Sequence, residues 1–344
     1  MRVPRNLWYA AAWCEEVESA PFSRKILGES VLLFRDGNGE AVALGDTCPH
    51  RFAPLHKGKL VDGTIECPYH GLRFDSRGRC VHNPHGNGAI PASARVRKYP
   101  LVERHKMLWI WPGDPEKADA SKIPQFGFLE DPNYEQTRGI VFTTATRFEL
   151  VLDNLMDLTH IGYLHLDNVG SEAVARGRME VVQNGNNVSA LNLYPNGRPA
   201  PVFAHTGACS PDTMVDYWIN VHWHPLGSIH IDAGVIPLGQ PKEGSPFLSS
   251  AQILTPETET STHYFWRFYR NYQYNNAELT GQIEAAIKSA FEREDEAMIR
   301  SVQERMNGHD LWSLNPVLLP TDSAAVRVRR VLNEMIEAEN QPSA

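Results

Sequence analysis

The feature that most constrains this chain is a pair of short motifs, each of which joins a cysteine to a histidine. The first is Cys48-Pro49-His50, and the second, after sixteen intervening residues, is Cys67-Pro68-Tyr69-His70. Pro54 and Gly71 lie close by, and this density of prolines and glycine indicates tight loops rather than regular helix or strand. Together the two loops offer two thiolates and two imidazoles to one metal centre.

Two kinds of metal site use two cysteines and two histidines. A structural zinc site usually pairs cysteine with cysteine in one half and histidine with histidine in the other. Here each half is mixed, which favours a [2Fe-2S] cluster with both cysteines on one iron and both histidines on the other. The motifs therefore resemble those of Rieske proteins, and zinc stays as the alternative. The predicted cluster ligands are Cys48, His50, Cys67 and His70.

The composition excludes several classes of protein. The chain has 344 residues, enough for two domains with separate cores, and its net charge of −8 lacks the basic surface that nucleic-acid binding needs. Three of its five cysteines lie outside the motifs, and this odd, scattered set argues against a disulfide framework and for a reducing cytoplasm. We expect a soluble protein without a membrane segment, since the N-terminus has no apolar core of signal-peptide length.

The periodicity predicts an α+β chain in three parts. Residues 1–112 read as short strands, with a hairpin turn at Asp36-Gly37-Asn38-Gly39 between two apolar runs, and predict an all-β domain. Residues 113–139, rich in proline and charge, predict an interdomain connection. Residues 140–344 predict a second domain with strands between 178 and 270. Helices are predicted at 148–158, 278–306 and 323–338.

A second metal site is predicted near residue 160. Asn154, Asp157 and His160 are spaced three apart, which places them on one face of a helix. His165 is rotated from His160 by roughly 140° on an ideal helix, so the helix must end or distort near Gly162 if both bind one metal. Two histidines near a helix end are more often hydrogen-bonded residues than ligands, but the redox cluster upstream favours a metal. With one carboxylate they form the facial triad of non-haem Fe(II) oxygenases.

The carboxylate is expected on the helix that starts at Glu278. Glu294 and Asp295 fall where the apolar stripe of this helix should continue, and helical periodicity favours Glu294, which is nearer the centre of the stripe. A solvated acidic face explains both residues equally well. The stripe that is predicted to be buried consists of Ile283, Ile287, Phe291, Met298 and Val302.

The combined pattern resembles the terminal oxygenase component of Rieske non-haem iron oxygenases. The cluster motif is followed by Asn154-x-x-Asp157-x-x-His160-x4-His165 and by a late Glu-Asp pair in a helix. Four stretches look specifically like the vanillate and dicamba O-demethylase branch, and the likeness runs from Asn6 to about Arg330. They are Asn6-Leu7-Trp8-Tyr9, Cys48-Pro49-His50-Arg51, Asp153-Asn154-Leu155-Met156-Asp157-Leu158-Thr159-His160 and Thr255-Pro256-Glu257-Thr258.

The resemblance implies a catalytic domain of helix-grip type that binds mononuclear Fe(II). The implied ligands are His160, His165 and Asp295, although helical periodicity favours Glu294 over Asp295. Asp157 and Asn154 are the implied catalytic residues, and Asp157 would bind the cluster histidine His70 of a neighbouring subunit. The implied assembly is a homotrimer, in which the cluster of one subunit faces the iron of the next. Electrons are expected from NAD(P)H through a reductase of flavin or ferredoxin type.

The reaction that the resemblance implies is O2-dependent hydroxylation of an O-methyl group on a methoxylated aromatic acid. The hemiacetal that forms collapses to a phenol and formaldehyde. Two alternatives stay open: a ring-hydroxylating dioxygenase or other aromatic-acid hydroxylase of the same superfamily, and an electron-transfer Rieske protein with a passive C-terminal domain.

The substrate pocket is expected under the sheet of the second domain. Strand alternation places His230 and Asn220 in polar rows that line either this pocket or a water-facing surface. Gln252 and Arg267 are further candidates on neighbouring strands. Some relatives carry a histidine that suits a carboxylate at the position of Gln252, so the acid group accepted here differs from theirs if that alignment holds.

Overall fold

The structure is a computed structural model that describes residues 2–18, 20–165, 169–171, 174 and 177–341. The chain divides into two compact units. The first comprises Met1–Gln125 together with Thr255–Glu259, and the second comprises Phe126–Leu254 together with Thr260–Ala344.

The first unit is built from three small antiparallel sheets, which confirms the all-β prediction for this part of the chain. The sheets have the strand orders β1-β10-β9, β2-β3-β4 and β5-β6-β7-β8. The predicted hairpin is the pair β3–β4. The ten strands are β1 (Tyr9–Trp13), β2 (Phe22–Ile26), β3 (Glu29–Arg35), β4 (Ala41–Gly45), β5 (Lys59–Val61), β6 (Thr64–Glu66), β7 (Arg73–Phe74), β8 (Cys80–His82), β9 (Leu101–Arg104) and β10 (Met107–Ile110).

The core of this unit holds the cysteines of both motifs. Cys48 and Cys67 pack in one cluster with side chains from β3, β4, β6 and β7, among them Phe34 and Phe74. Because both cysteines are anchored in this core, the loops that carry them are fixed at their bases.

The predicted connection at 113–139 is shared between the two units. Up to Gln125 it belongs to the first unit, where the Trp8 Nε1 donates to the Asp119 carbonyl (2.8 Å) and the Trp111 Nε1 donates to the Asp114 carbonyl (2.8 Å). From Phe126 it belongs to the second unit. Hydrogen bonds from two tryptophan side chains therefore hold part of a segment whose composition alone suggested a linker. The exact domain limits stay a prediction.

The second unit contains an eight-stranded antiparallel sheet, with the order β11-β18-β17-β16-β15-β14-β13 and with β12 also paired to β18. β17 is buried along its whole length. The strands are β11 (Glu135–Gln136), β12 (Ile140–Thr144), β13 (Arg178–Asn184), β14 (Asn187–Gly197), β15 (Val215–His224), β16 (Ser228–Pro237), β17 (Leu248–Pro256) and β18 (Thr262–Arg270).

Helices complete the second unit. Between α4 and α5 the helix continues through one π-helical turn, Phe291–Asp295. No helix within the described residues is both long and apolar enough to cross a lipid bilayer. The α-helices are α1 (Phe148–Met156), α2 (Ile161–Leu164), α3 (Pro201–His205), α4 (Ala277–Ala290), α5 (Glu296–Met306) and α6 (Ser323–Asn340).

Candidate metal centres

The two motifs of the first unit fold into loops with matching backbone hydrogen bonds. Each cysteine amide donates to the carbonyl five residues later, at 2.9 Å for Cys48 and 2.8 Å for Cys67. The Phe52 amide donates back to the Cys48 carbonyl, and the Gly71 amide donates back to the Cys67 carbonyl, both at 3.0 Å. Phe52 and Gly71 both have a positive φ, 58° and 71°. The two loops therefore present their cysteines in equivalent backbone settings.

The two cysteines form a buried thiol pair. Cys48 is 1% exposed and Cys67 is 2% exposed. Burial, reinforced by the neighbouring Cys67 thiol, raises the pKa of Cys48 to about 11. A thiol in this setting stays protonated at neutral pH unless a metal binds it as the thiolate. The pair is therefore suited to share one iron.

The two histidines of the motifs lie side by side. The ring centroids of His50 and His70 are 4.5 Å apart, and the His85 Nε2 donates to the His70 carbonyl at 2.9 Å. The His70 Nδ1 is buried and has no hydrogen-bond partner among the described residues. A buried ring nitrogen without a partner is free to ligate a metal. The donor set of two thiols and two imidazoles fits a Rieske cluster.

The segment that carries the second set of histidines is not one continuous helix. The predicted helix at 148–158 ends at Met156, and Asp157 is extended, with φ −121° and ψ 101°. The prediction that Asn154, Asp157 and His160 share one helical face is therefore wrong. The Asp157 side chain accepts from the Thr159 amide (2.9 Å) and so caps a 3-10 turn, a role that aspartate favours over a mid-helix position.

This interruption brings the two histidines together. The 3-10 turn ends at His160, α2 follows it directly, and His165 is the residue after α2. The sequence predicted a break near Gly162. The observed break is at Asp157, five residues earlier. The two imidazole rings now lie with their centroids 5.2 Å apart. A change of helix geometry, rather than one ideal helix, is what lets both histidines reach one point.

His160, His165 and Asp295 form a candidate metal site. The atoms that they offer to a metal all lie within 4.8 Å of one another. The Asp295 Oδ1 is 3.0 Å from the His165 Nε2 and 3.5 Å from the His160 Nε2. Asn154 donates its Nδ2 hydrogen to the same oxygen at 3.0 Å. Two imidazoles and one carboxylate fit a non-haem Fe(II) site with open positions.

The second nitrogen of each imidazole is held by a separate acceptor. The His160 Nδ1 donates to the Asp157 carbonyl at 2.6 Å, and the His165 Nδ1 contacts the Glu294 carboxylate. Both histidines therefore direct Nε2 toward Asp295. Acceptors of this kind fix the tautomer and the ring orientation of metal-binding histidines.

The charges around these imidazoles attract a cation. Burial lowers the pKa of His160, and the nearby Asp295 carboxylate only partly opposes this. Burial also acts to lower the pKa of His165, but Asp295 and Glu294 outweigh it and hold that pKa above its usual value. A neutral imidazole and a second imidazole between two carboxylates are a suitable setting for a divalent ion.

The π-helical turn explains why Asp295 reaches the histidines. A π-helical turn holds one residue more than an α-helical turn, so everything after it is displaced by one position around the helix. The predicted stripe through Met298 and Val302 is accordingly wrong at these positions, which are 52% and 40% exposed. The buried positions are Ile299 and Met306. The same displacement moves the inward position from Glu294 to Asp295.

A cavity of about 270 Å³ opens beside the three metal-site residues. It lies under one face of the large sheet, whose side chains Ile219, Ile231, Gln252 and Trp266 line it, and α4 contributes Ile283 among others. The sequence places the substrate pocket under this sheet, and the structure contains a cavity there. Its position beside the candidate metal site suits a substrate pocket.

Of the four predicted substrate residues, only Gln252 lines this cavity. Asn220, His230 and Arg267 alternate with the lining residues Ile219, Ile231 and Trp266, so their side chains point to the other face of the sheet. The structure thus contradicts their placement in the pocket. Strand alternation separated the two faces correctly, but it did not say which face bounds the cavity.

The outward row is a packed polar layer with its own partners. The His230 Nε2 and the Tyr269 hydroxyl are hydrogen-bonded at 2.7 Å, and Phe128 stacks on His230 with centroids 4.5 Å apart. Burial lowers the pKa of His230 to about 4, so the ring is neutral at pH 7. Asn220 accepts from the Asn192 amide at 3.1 Å. These contacts give His230 and Asn220 a structural explanation.

Comparison with known proteins places both parts of the chain. Residues 7–100 match the Rieske [2Fe-2S] domain, and residues 144–338 match the vanillate O-demethylase oxygenase C-terminal domain. The oxygenase component of chloroacetanilide N-alkylformylase from Rhizorhabdus wittichii is 41% identical over 98% of this chain and 97% of its own. The oxygenase component of dicamba O-demethylase from Stenotrophomonas maltophilia is 41% identical over 98% and 99%.

A solved structure agrees with these sequence relatives. The crystal structure of dicamba monooxygenase bound to 3,6-dichlorosalicylic acid matches with a TM-score of 0.93 at 40% identity, over 98% of this chain and 99% of that one. The chain therefore belongs to the Rieske oxygenases, in the branch of the vanillate and dicamba O-demethylase oxygenase components. It is an oxidoreductase that uses a Rieske [2Fe-2S] cluster and a mononuclear non-haem iron.

Two contributors to the second centre were not predicted in their observed roles. Glu294 was considered as a ligand or as part of a solvated acidic face, whereas it contacts the outer nitrogen of His165. Ser250 lines the cavity beside Gln252 and was not singled out at all. Its position two residues before Gln252 on the same strand was the available signal, because such residues share a face.

Proposed function

We propose that this chain is the terminal oxygenase of a multicomponent monooxygenase that removes the methyl group of a methoxylated aromatic compound. One observation carries the proposal: the metal-ligating atoms of His160, His165 and Asp295 converge at the wall of an apolar cavity large enough for a small aromatic molecule. When bound there, iron supplies O2 chemistry on electrons delivered by the cluster.

The overall reaction balances with two electrons. An aryl methyl ether, O2, two electrons and two protons give the hydroxymethyl ether and one water. The hydroxymethyl ether then breaks its bond between carbon and the aryl oxygen, which yields a phenol and formaldehyde without further electrons. The electrons come from NAD(P)H through a reductase, which the names of the relatives as oxygenase components support.

The residues of the site have distinct tasks in this proposal. His160, His165 and Asp295 hold the metal, and the Asn154 amide orients the Asp295 carboxylate through its hydrogen bond. Glu294 and the Asp157 carbonyl keep the Nε2 atoms of both imidazoles on the metal side. The apolar walls seat the aryl ring and exclude water from the reacting carbon.

We also propose that the working assembly is a homotrimer with the cluster of one subunit beside the iron of the next. The exposed His50, flanked by Phe52 and Tyr69 that are 78% and 63% exposed, forms an apolar surface suited to a partner. On the other centre, one oxygen of Asp157 accepts from Thr159, and the other can accept from the partner's His70. A heterologous contact of this kind closes under threefold symmetry.

Of the two alternative functions, the electron carrier is the weaker on structural grounds. An electron-transfer protein has no use for two imidazoles and a carboxylate gathered beside a cavity, and detection of a third iron beyond the two of the cluster would rule it out. A ring-hydroxylating dioxygenase would convert the same kind of substrate to a cis-diol. Both are outcomes of the experiment below.

The experiment is turnover of the iron-loaded holoenzyme with a generic reductase and NADH on a panel of methoxylated benzoates, benzamides and phenols. We expect formaldehyde equimolar with the O2 and NADH consumed, and no formaldehyde from the Asp295→Ala variant. A cis-diol without formaldehyde would establish the dioxygenase, and a chain that holds only the cluster iron would establish the electron carrier.

A further inference from the structure

We infer that the cavity selects a neutral aromatic substrate that carries a hydrogen-bond donor, and that Gln252 is the residue that recognises this donor. The inference rests on the proposed function, since it assigns a substrate class to the same cavity. It departs from the acid that the sequence suggested, and it makes Gln252 a residue that determines specificity.

The walls of the cavity are apolar. From the sheet come Ile219, Ile231 and Ala233, and from α4 and the π turn come Ile283 and Phe291. Such walls bind an aryl ring by burying its surface. Outside the metal site and its partner Asn154, the hydrogen-bonding side chains among the described lining residues include His205, Thr206, Ser250, Gln252 and Gln282, and none of these carries the fixed positive charge of a lysine or arginine.

The charges beside the cavity do not favour an anion. No lysine or arginine lines it within the part of the chain that the structure describes. A divalent ion at the metal site would be balanced by the carboxylates of Asp295 and Glu294, which both contact His165. The metal site as a whole is therefore no substitute for a cationic side chain.

Gln252 has a hydrogen-bonding group to spare. Its side chain is buried, with the residue 7% exposed, and its Nε2 donates to the Ser250 hydroxyl at 3.0 Å. The Oε1 is buried as well and has no hydrogen-bond partner among the described residues. A buried carbonyl oxygen without a donor is costly, and a donor on the ligand removes that cost. The free oxygen therefore points to an N–H or O–H group on the substrate.

The same geometry discriminates against a carboxylate. The carboxylate would lose its water without gaining a cation, and it would meet the lone pairs of the Gln252 Oε1. Burial of an ionised group without a partner is among the least favourable changes in a protein interior. A carboxamide of the same size keeps the ring contacts and adds the donor.

The test compares three compounds that differ in one group: 3-methoxybenzamide, methyl 3-methoxybenzoate and 3-methoxybenzoate. Their dissociation constants are measured by calorimetry on the oxidised holoenzyme at pH 7.5, so the readout does not depend on turnover. We expect the amide to bind at least about tenfold more tightly than the ester, which lacks the donor, and the acid to bind more weakly than either.

Variants at Gln252 assign the preference to this residue. In Gln252→Leu the amide should lose its advantage over the ester. In Gln252→Glu, which keeps the shape, the acid should bind still more weakly, and in Gln252→Lys the acid should gain at least about tenfold relative to the amide. Asp232→Asn, a charge change on the outward face of the same sheet, should leave all three ratios unchanged.

Several results would overturn the inference. They are tighter binding of the acid than of the amide, an ester that binds as well as the amide, or ratios that do not respond to Gln252→Leu. Arg176 lies outside the described residues, and acid binding that is strong in the parent and lost in Arg176→Gln would overturn the inference too. Binding of the amide without formaldehyde release would leave it intact and would refute the proposed reaction instead.

Discussion

The two metal centres of this protein are built in opposite ways. The four cluster residues lie within twenty-three positions of sequence, on two loops that make matching backbone hydrogen bonds around a shared core. The three residues of the mononuclear site lie between positions 160 and 295, and their meeting depends on an extended residue, a short 3-10 turn and a π-helical turn. The first centre is encoded locally, whereas the second depends on tertiary structure.

This contrast predicts how each centre responds to mutation. We expect substitutions within the two loops to impair the cluster site, and substitutions elsewhere to leave it intact. The mononuclear site should respond both to its ligands and to residues that only hold its helices in place. The following predictions test that difference, from the largest expected effect to the smallest.

Asp295→Ala should abolish the mononuclear iron, since a site with two imidazoles and no carboxylate lacks the third ligand of the facial triad. Iron per chain should fall from about three to about two, with the Rieske spectrum unchanged and no formaldehyde produced. Metal analysis and the visible spectrum of the same sample measure both. Glu294→Ala is the matched control and should retain the third iron when iron is in excess. The opposite pattern in the two variants would make Glu294 the ligand.

His70→Cys should alter the cluster and leave the other centre intact. If the cluster assembles, thiolate ligation should lower its reduction potential by several hundred millivolts, because all-cysteine clusters lie on the order of that far below Rieske clusters. Redox titration followed by the visible spectrum checks this. An unchanged potential would show that His70 is not a ligand, and zinc in place of iron in the parent protein would refute the cluster itself.

Asp157→Asn should uncouple the centres without emptying either of them. The amide keeps one acceptor oxygen for the Thr159 cap, but it removes the charge proposed to hold the partner's His70. Loss of a carboxylate that orients a metal-binding histidine typically costs about ten- to a hundredfold, and turnover should fall at least that much. Single-turnover kinetics with pre-reduced protein should show slow reoxidation of the cluster. Normal reoxidation would rule out the bridging role.

Arg329→Met tests whether a residue without any contact to the metal supports its site. Arg329 on α6 pairs with both oxygens of Asp153 on α1, at 2.7 and 2.6 Å, and Asp153 directly precedes Asn154. Loss of the pair should cost roughly 2–4 kcal/mol of unfolding free energy and lower iron affinity at the mononuclear site severalfold. The cluster should be unaffected. The double variant Asp153→Leu/Arg329→Met should recover much of the stability, and a cluster lost together with the iron would contradict the contrast.

The same contrast explains what the sequence could predict. The cluster loops follow from contiguous motifs, and in the structure the two thiols are neighbours and the two imidazoles lie side by side. For the second centre, the sequence identified His160 and His165 as candidate ligands. The helical face that His160 was predicted to share with Asp157 does not exist, because Asp157 caps a 3-10 turn and α1 ends before it. Ideal helical periodicity also predicted, wrongly, that Met298 and Val302 are buried. The π-helical turn that changes the periodicity cannot be predicted from residue propensities.

The substrate residues show a different limit of sequence reasoning. Alternation in a strand predicts two faces, and both faces of this sheet are covered, one by the cavity and one by the layer around His230 and Phe128. Alternation left open whether the polar rows line the pocket or face water. The wall is mostly apolar among the described residues, as suits the binding of an aryl ring, and the buried amide of Gln252 is one of its few polar groups.

The extra residue in the π-helical turn between α4 and α5 makes the metal site sensitive to deletions during evolution. Removing any residue between Phe291 and Asp295 would restore regular α-helical hydrogen bonding and turn the rest of the helix by about 100°. The shortened helix would be the more regular fold, and it would carry its carboxylate away from the histidines. Selection for stability and selection for the metal thus act in opposite directions on chain length here, which is the usual compromise at functional sites. Descendants of this gene should therefore tolerate substitutions along the helix far better than deletions.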